Sequence, residues 1–233
     1  MKDILKNEIF YIIPAFNEAR VITNTIENLK DLAPEGKIVV VDDGSSDGTG
    51  NLALSVGAIV LRHLKNRGYG AALQTGLAYA QRENADIAIT FDADGQHDPK
   101  DIAVLIEPII KSQCDVVLAS RFLDNASSPN IPWLRRLTLR IGVLFTRLMS
   151  RVNVTDAHNG LRAFSKRAIG FMQTASDDMT YASEIHDQIY RHKLSFTEVP
   201  CHIKYTEYSL AKGQKSSAAI RIALRFFLEK LRP

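Results

Sequence analysis

Cysteine is scarce: Cys114 and Cys201 are the only two in 233 residues. Two thiols cannot build a disulfide framework, and no CxxC or Cys/His spacing offers a zinc site. Such usage fits a reducing cytoplasm. No stretch reaches the ~18 uninterrupted apolar residues expected of a membrane span. Met1 to Glu8 is charged where a signal peptide would be apolar. There is no Gly/Ser/Pro-rich linker, low-complexity tract or internal repeat. We therefore expect one cytoplasmic domain over 1–233, with a first part at about 1–125 and an appended part at about 126–233. Excess charge is small, +3. The basic residues lie outside any recognised nucleic-acid module, so no nucleic-acid partner is expected.

What is present is a repeated theme of short β-branched run, polar turn and amphipathic helix. Strands are predicted at Ile9 to Ile13, Lys37 to Val41, Ala58 to Leu61, Ile87 to Phe91 and Asp115 to Ala119. Helices are predicted at Glu18 to Lys30, from Asp47 or Ser46 as N-cap to Val56, at Ala71 to Arg82, and from Pro99 to Lys111. Lys37 to Val41 is almost wholly apolar, as in a strand buried on both faces. Alternating strands and helices predict right-handed βαβ units and a mostly parallel sheet. Ligands of such sheets bind beyond the carboxyl ends of the strands. The pattern changes after Arg121. Residues 131–151 carry Leu134, Leu137, Ile141, Leu144, Phe145 and Leu148 at helical spacing, with several arginines and no acidic residue. A strand at Leu161 to Phe164, a helix at Tyr181 to Arg191, a strand at Ser195 to Val199 and a terminal helix through Leu231 complete the reading.

The acidic turns fall where ligands would bind. Asp92-Ala93-Asp94-Gly95-Gln96-His97 follows the fourth strand. Two carboxylates one residue apart can converge on a divalent cation, and oxygen ligands with open positions suit Mg²⁺ or Mn²⁺ held with substrate phosphates. The same residues could equally form a turn that caps the next helix. His97 reads as a turn residue rather than a ligand. Asp42-Asp43 ends the second strand, where a carboxylate can accept from a ribose hydroxyl or a base N–H. Turn chemistry alone explains Asp42 and Asp47 well, and the pair less well. Gly68-Tyr69-Gly70-Ala71-Ala72-Leu73 imitates a dinucleotide fingerprint. It has Leu73 in place of the third glycine and follows the third strand, so a dinucleotide site is not expected. A tight turn or a close backbone approach under a diphosphate remains.

Pro14-Ala15-Phe16-Asn17-Glu18, Val41-Asp42-Asp43-Gly44-Ser45, Asp92-Ala93-Asp94-x-Gln96-His97 and Ser120-Arg121-Phe122 occur in that order at successive strand ends. This set resembles the family 2 glycosyltransferases of GT-A fold, and specifically their dolichol-phosphate mannose synthase-like branch, over about 9–125 and more loosely to 216. The resemblance implies an α/β Rossmann-like nucleotide-diphospho-sugar transferase with helices on both faces of the sheet. It implies that Pro14, Phe16, Glu18, Val41 and Asp43 line base and ribose, that Asp92 and Ala93 lie by the diphosphate and sugar, and that Asp94 and Gln96 hold the metal. It further implies phosphate contact by Arg121, an acceptor lipid phosphate at Arg135 beside Arg136, and a loop over the site at Lys212 to Ser216. Phe16 stands where the family often has tyrosine, and the C-terminal membrane helices of many relatives are not in this sequence.

The implied reaction is metal-assisted displacement at the anomeric carbon, with inversion, from a UDP- or GDP-sugar. A polyprenyl phosphate is already anionic and needs no base; a sugar hydroxyl of a glycan needs a carboxylate. Asp156 and Glu184 are the candidates, each equally explained as a cap, a salt bridge or a solvated face. The basic stretch 131–151 fits either peripheral contact with an anionic membrane or a core helix with a solvated face. Two rivals have different signatures. A nucleotidyltransferase would show a Gly-rich basic first turn, absent here, and a non-catalytic nucleotide-sugar binder would have lost Asp94 or Asp43, both present.

Overall fold

The computed structural model describes residues 7–123, 143, 147, 150, 152–157, 159–172 and 181–203. In chain order the elements are β1 (Ile9–Ala15), α1 (Ile22–Leu32), β2 (Lys37–Asp42), α2 (Thr49–Ser55), β3 (Ile59–Arg62), α3 (Tyr69–Arg82) and β4 (Ile87–Thr90). There follow α4 (Asp101–Ile110), β5 (Val116–Ser120), β6 (Arg162–Ser165), α5 (Lys166–Phe171), α6 (Tyr181–Arg191) and β7 (Phe196–Pro200). The described strands form one sheet in the order β3-β2-β1-β4-β6-β5-β7. Neighbours are parallel except at β6, which runs antiparallel to both β4 and β5.

Side chains on a strand alternate between faces, and β1 uses both. Ile9, Tyr11 and Ile13 pack with Ile22 and Ile26 of α1 and Leu105 of α4. Phe10 and Ile12 pack with Leu73 and Leu77 of α3 and Ile185 of α6 on the other side. Covering both faces leaves the strand ends as the place where polar groups can gather.

Most elements lie where the periodicity puts them, with local differences; α4 starts at Asp101 rather than Pro99, and α5 has no counterpart in the sequence reading. The first helix begins at Ile22 rather than Glu18, because the chain first makes a tight turn in which Glu18 O accepts from both Val21 N and Ile22 N. The third begins two residues early, at Tyr69. The N-cap of α2 is neither Asp47 nor Ser46 but Gly48, with φ +90°, a conformation open to glycine. Asp47 still supplies capping chemistry from one position upstream, its Oδ1 accepting from Thr49 N at 3.0 Å.

Of the basic stretch 131–151, Val143, Arg147 and Ser150 are described, and all are helical. Arg147 Nε donates to Val154 O at 2.7 Å, so this arginine ties the helix to the chain that follows. Arg135, Arg136, Lys212 with its loop, and the predicted terminal helix lie outside the described residues. Among the described residues no helix is long and apolar enough to cross a membrane.

Candidate active site

The site begins where β1 and β2 end side by side, with Pro14 opposite Val41 and Ala15 opposite Asp42. The two loops leaving these strands are laced together. Asn17 N donates to Ser45 Oγ at 3.0 Å, Ser46 N to Asn17 Oδ1 at 3.0 Å, Glu18 N to Thr49 Oγ1 at 2.8 Å and Ala19 N to Asp47 Oδ2 at 3.0 Å. The lacing explains Asn17's φ of +53°: the left-handed turn lets its backbone and side chain both reach the facing loop. Burial pulls the Asp47 carboxyl upward, but its bonds from Thr49 and Ala19 outweigh that and leave it below its ordinary range. Phe16 is 41% exposed at the head of this cleft while Glu18 is buried. Val41 is wholly enclosed; it supports the wall from beneath.

The adjacent aspartates do different work. Asp42 is enclosed and accepts from Ser45 N at 2.9 Å and Arg62 Nε at 2.8 Å, which fixes the end of β2. Asp43 reaches across to the loop that opens α3. It accepts from Arg67 N at 2.9 Å, Gly68 N at 2.8 Å and His63 Nδ1 at 2.6 Å. Asp43 thereby sets where α3 starts, and with it the position of Tyr69.

Tyr69 leads to the third carboxylate. Its hydroxyl donates to Asp92 Oδ1, and His97 Nε2 lies 3.0 Å from Oδ2. Gly160 closes the back: a Cβ there would sit 2.4 Å from Asp92 Oδ2. Burial raises the Asp92 carboxyl, yet the bonds from His97 and Tyr69 and the charge of Arg162 more than offset it, and Asp92 stays ionised below the usual range. His97, read from the sequence as a turn residue, here also lies against the Asp92 carboxylate. Tyr69, Gly160 and Arg162 were not legible as site residues. The glycine-tyrosine-glycine turn was the one available signal.

Asp94 sits one turn further out, accepting from Gln96 N at 3.0 Å and Gln96 Nε2 at 2.5 Å. Burial first, then the negative charge of Asp92, push its carboxyl above the ordinary range. Two like-charged carboxylates are hard oxygen donors, and a divalent cation would relieve the repulsion between them. The residues present fit Mg²⁺ or Mn²⁺. Among the described residues no group of three or more His, Cys, Asp or Glu converges on one point. An open turn of this kind suits an ion shared with substrate phosphates.

The loop before β6 joins two strand ends. Its Gly160 touches Asp92 on the β4 side, and its Asp156 meets Arg121 on the β5 side. Arg121 Nε lies 2.6 Å from Asp156 Oδ2, and Nη2 lies 2.7 Å from Oδ1. Behind them Glu198 of β7 accepts from Thr155 N and Thr155 Oγ1, and Ser120 Oγ lies 2.6 Å from Thr155 Oγ1. Nearby, burial pushes the Cys201 thiol up to about 12, which makes it inert. Glu184 lies in the first turn of α6, partly exposed. The structure therefore groups Asp92, Ala93, Asp94 and Gln96, and pairs Arg121 with Asp156.

A model of glycosyl transferase family 2 matches residues 11–171. The chain belongs to this family. It is a glycosyltransferase, and its relatives carry the dolichol-phosphate mannose synthase-like character that its motifs imply. An N-acetylglucosaminyltransferase of Methanococcus voltae, named for UDP-N-acetylglucosamine and dolichyl phosphate, is 36% identical over 96% of both chains. An undecaprenyl-phosphate mannosyltransferase of Micrococcus luteus is 30% identical, over 90% of this chain and 88% of its own. The fold is GT-A. Glucosyl-3-phosphoglycerate synthase from Mycobacterium tuberculosis, solved with Mn²⁺ and UDP-glucose, superposes with a TM-score of 0.75 at 20% identity, over 98% of this chain and 80% of that one. In family terms, the first two motifs are the loops laced at β1 and β2, and the aspartate motif is the turn after β4.

Proposed function

We propose that this glycosyltransferase moves a sugar, with inversion, from a UDP- or GDP-sugar to a polyprenyl phosphate. The observation that carries the choice of acceptor is the Arg121–Asp156 pair. A hydroxyl acceptor needs a free carboxylate to take its proton. Asp156 is committed through both oxygens to a cation, which makes it a poor base. A phosphate monoester carries most of its second negative charge near pH 7 and attacks unaided. Its oxygen forms the new bond to the anomeric carbon as the bond to the nucleotide diphosphate breaks and the diphosphate takes the electron pair. By the family resemblance, Arg121 would contact phosphate and stabilise the departing diphosphate. The names of the Methanococcus and Micrococcus relatives, both stating polyprenyl phosphates, support the same acceptor.

On the donor side, the laced loops and Asp43 shape the nucleotide end of the cleft, and Asp92 faces the sugar. Asp94 and Gln96 would hold Mg²⁺ or Mn²⁺, whose charge offsets that developing on the leaving diphosphate when it is bound. Arg135 and Arg136 belong to the acceptor side, and the basic stretch they open supports peripheral attachment to an anionic membrane face.

The test is transfer from UDP- and GDP-sugars to a polyprenyl phosphate in liposomes, read by mass spectrometry. Arg135→Ala with Arg136→Ala should slow transfer while sparing nucleotide binding, and raising salt should weaken liposome association. Full-rate transfer to a soluble sugar hydroxyl, abolished by Glu184→Gln or Asp156→Asn, would replace this reading with the glycan one.

A further inference from the structure

Beyond its charge, which favours ionised Asp92, Arg162 has surroundings that are unusual. It lies on β6, in the interior of the sheet, opposite Thr90 of β4 and Leu118 of β5. It is 2% exposed, and neither Nη1 nor Nη2 has a hydrogen-bond partner among the described residues. A buried guanidinium in that state opposes folding unless nearby charge or π density compensates. Both are present in sequence. The guanidinium carbon lies 5.2 Å from the centre of the Tyr181 ring, an arrangement in which the ring face attracts the cation. Tyr181 packs on Tyr69 with ring centres 4.9 Å apart, and the Tyr69 hydroxyl donates to Asp92. Burial raises both tyrosines above their ordinary range, so Tyr69 meets Asp92 only as a donor.

We infer that Arg162 is a positioning residue for Asp92, acting through the packed rings of Tyr181 and Tyr69 to fix the carboxylate against the donor sugar. Resting on the glycosyl-transfer reading above, this makes the tyrosine pair a relay. Arg162 orients and holds the Tyr181 ring, Tyr181 backs Tyr69, and Tyr69 fixes one oxygen of Asp92 while His97 holds the other. Asp92 is partly open to solvent, its side chain 27% exposed. The relay therefore bears on the sugar and leaves the nucleotide to the loops at β1 and β2.

The experiment is a double-mutant cycle with Arg162→Met and Tyr69→Phe. It reads kcat and KM for transfer from UDP-N-acetylglucosamine and GDP-mannose to polyprenyl phosphate, and calorimetric binding of UDP and GDP with Mn²⁺. Each single variant should lower kcat by about 10–100-fold, a loss of the order expected for one mispositioned group. Nucleotide diphosphate affinity should stay within about 3-fold, since those ligands carry no sugar. The double variant should be no slower than the worse single one, because both changes cut the same relay. Arg162→Lys, which keeps the cation, should recover part of the lost kcat. Should Arg162→Met fail to fold, Tyr181→Leu breaks the relay at its centre and is measured in the same way. Multiplying losses, or nucleotide affinity falling in step with kcat, would overturn the relay. A wild type that transfers no sugar would instead overturn the reading on which it rests.

Discussion

Arg121 and Asp156 face one another fork to fork, 8% and 1% exposed at the side chain, through parallel bonds of 2.6 and 2.7 Å. Two planar groups matched in this way fix each other's orientation. Breaking the pair leaves a buried charge alone. Arg121→Met should lower unfolding free energy by about 3–5 kcal/mol, measured by urea titration. Asp156→Asn, which keeps the shape and some of the bonding, should cost less. A loss below about 1 kcal/mol for Arg121→Met would mean that water screens the pair.

The metal assignment predicts a proton count as well as an affinity. Asp94→Ala should abolish Mn²⁺-dependent binding of UDP or GDP while the circular dichroism spectrum stays unchanged. In the wild type the Asp94 carboxyl is raised, so protons compete with the ion. Affinity should therefore rise with pH above the ordinary carboxylate range, and Mn²⁺ uptake should release protons. Calorimetry in two buffers of different ionisation enthalpy reads that release directly. Unchanged Mn²⁺ binding by Asp94→Ala would move the metal elsewhere.

Asp42 and Asp43 should separate cleanly. Asp43→Ala frees the amides of Arg67 and Gly68 and loosens the start of α3. It should weaken nucleotide diphosphate binding about 10-fold or more, the order expected when charged hydrogen bonds are lost. Asp42→Ala removes bonds that only hold the end of β2, so its effect should appear mainly in the melting temperature. The reverse ranking in a titration would show that Asp42 is the nucleotide's carboxylate.

Gly160 gives a steric test of Asp92. A methyl group at this position needs the space that Asp92 Oδ2 occupies. Gly160→Ala should cut turnover sharply and lower stability by about 1–3 kcal/mol through overpacking. Gly170→Ala, in α5 with room for a Cβ around it, is the control for substituting glycine as such. Normal turnover in Gly160→Ala would show that the carboxylate has room to move.

The strand-end turns of this site were readable because their information is local. Lys37 to Val41 announces a buried strand, and the Asp, Gly and Ser cluster after β2 and the Asp and Gly residues after β4 announce turns at strand ends. The lacing of Asn17 to Ser45 and Ser46 was not readable, because it depends on where two loops meet in space. β6 was located but its direction was not, since four residues, Arg-Ala-Phe-Ser, carry no signal for what they pair with. Arg162 was hidden for a related reason. An arginine near a predicted strand end suggests solvent, and only the sheet order puts it inside. The Gly48 cap shows the limit of cap rules: Asp47 does the bonding, yet the backbone needs the extra residue's positive φ.

The antiparallel insertion of β6 also has a temporal side. As the chain leaves the ribosome, β1 to β4 can pair with one another as soon as each appears, through connections of the short βαβ kind. β5 cannot join them, because the place beside β4 is reserved for a strand that has not yet been made. It must wait with open edges until β6 arrives and brings Gly160 against Asp92. Asp92 thus gains its final wall among the last steps of folding. Chains stalled before that point should hold formed loops at β1 and β2 with an exposed, aggregation-prone strand beside them.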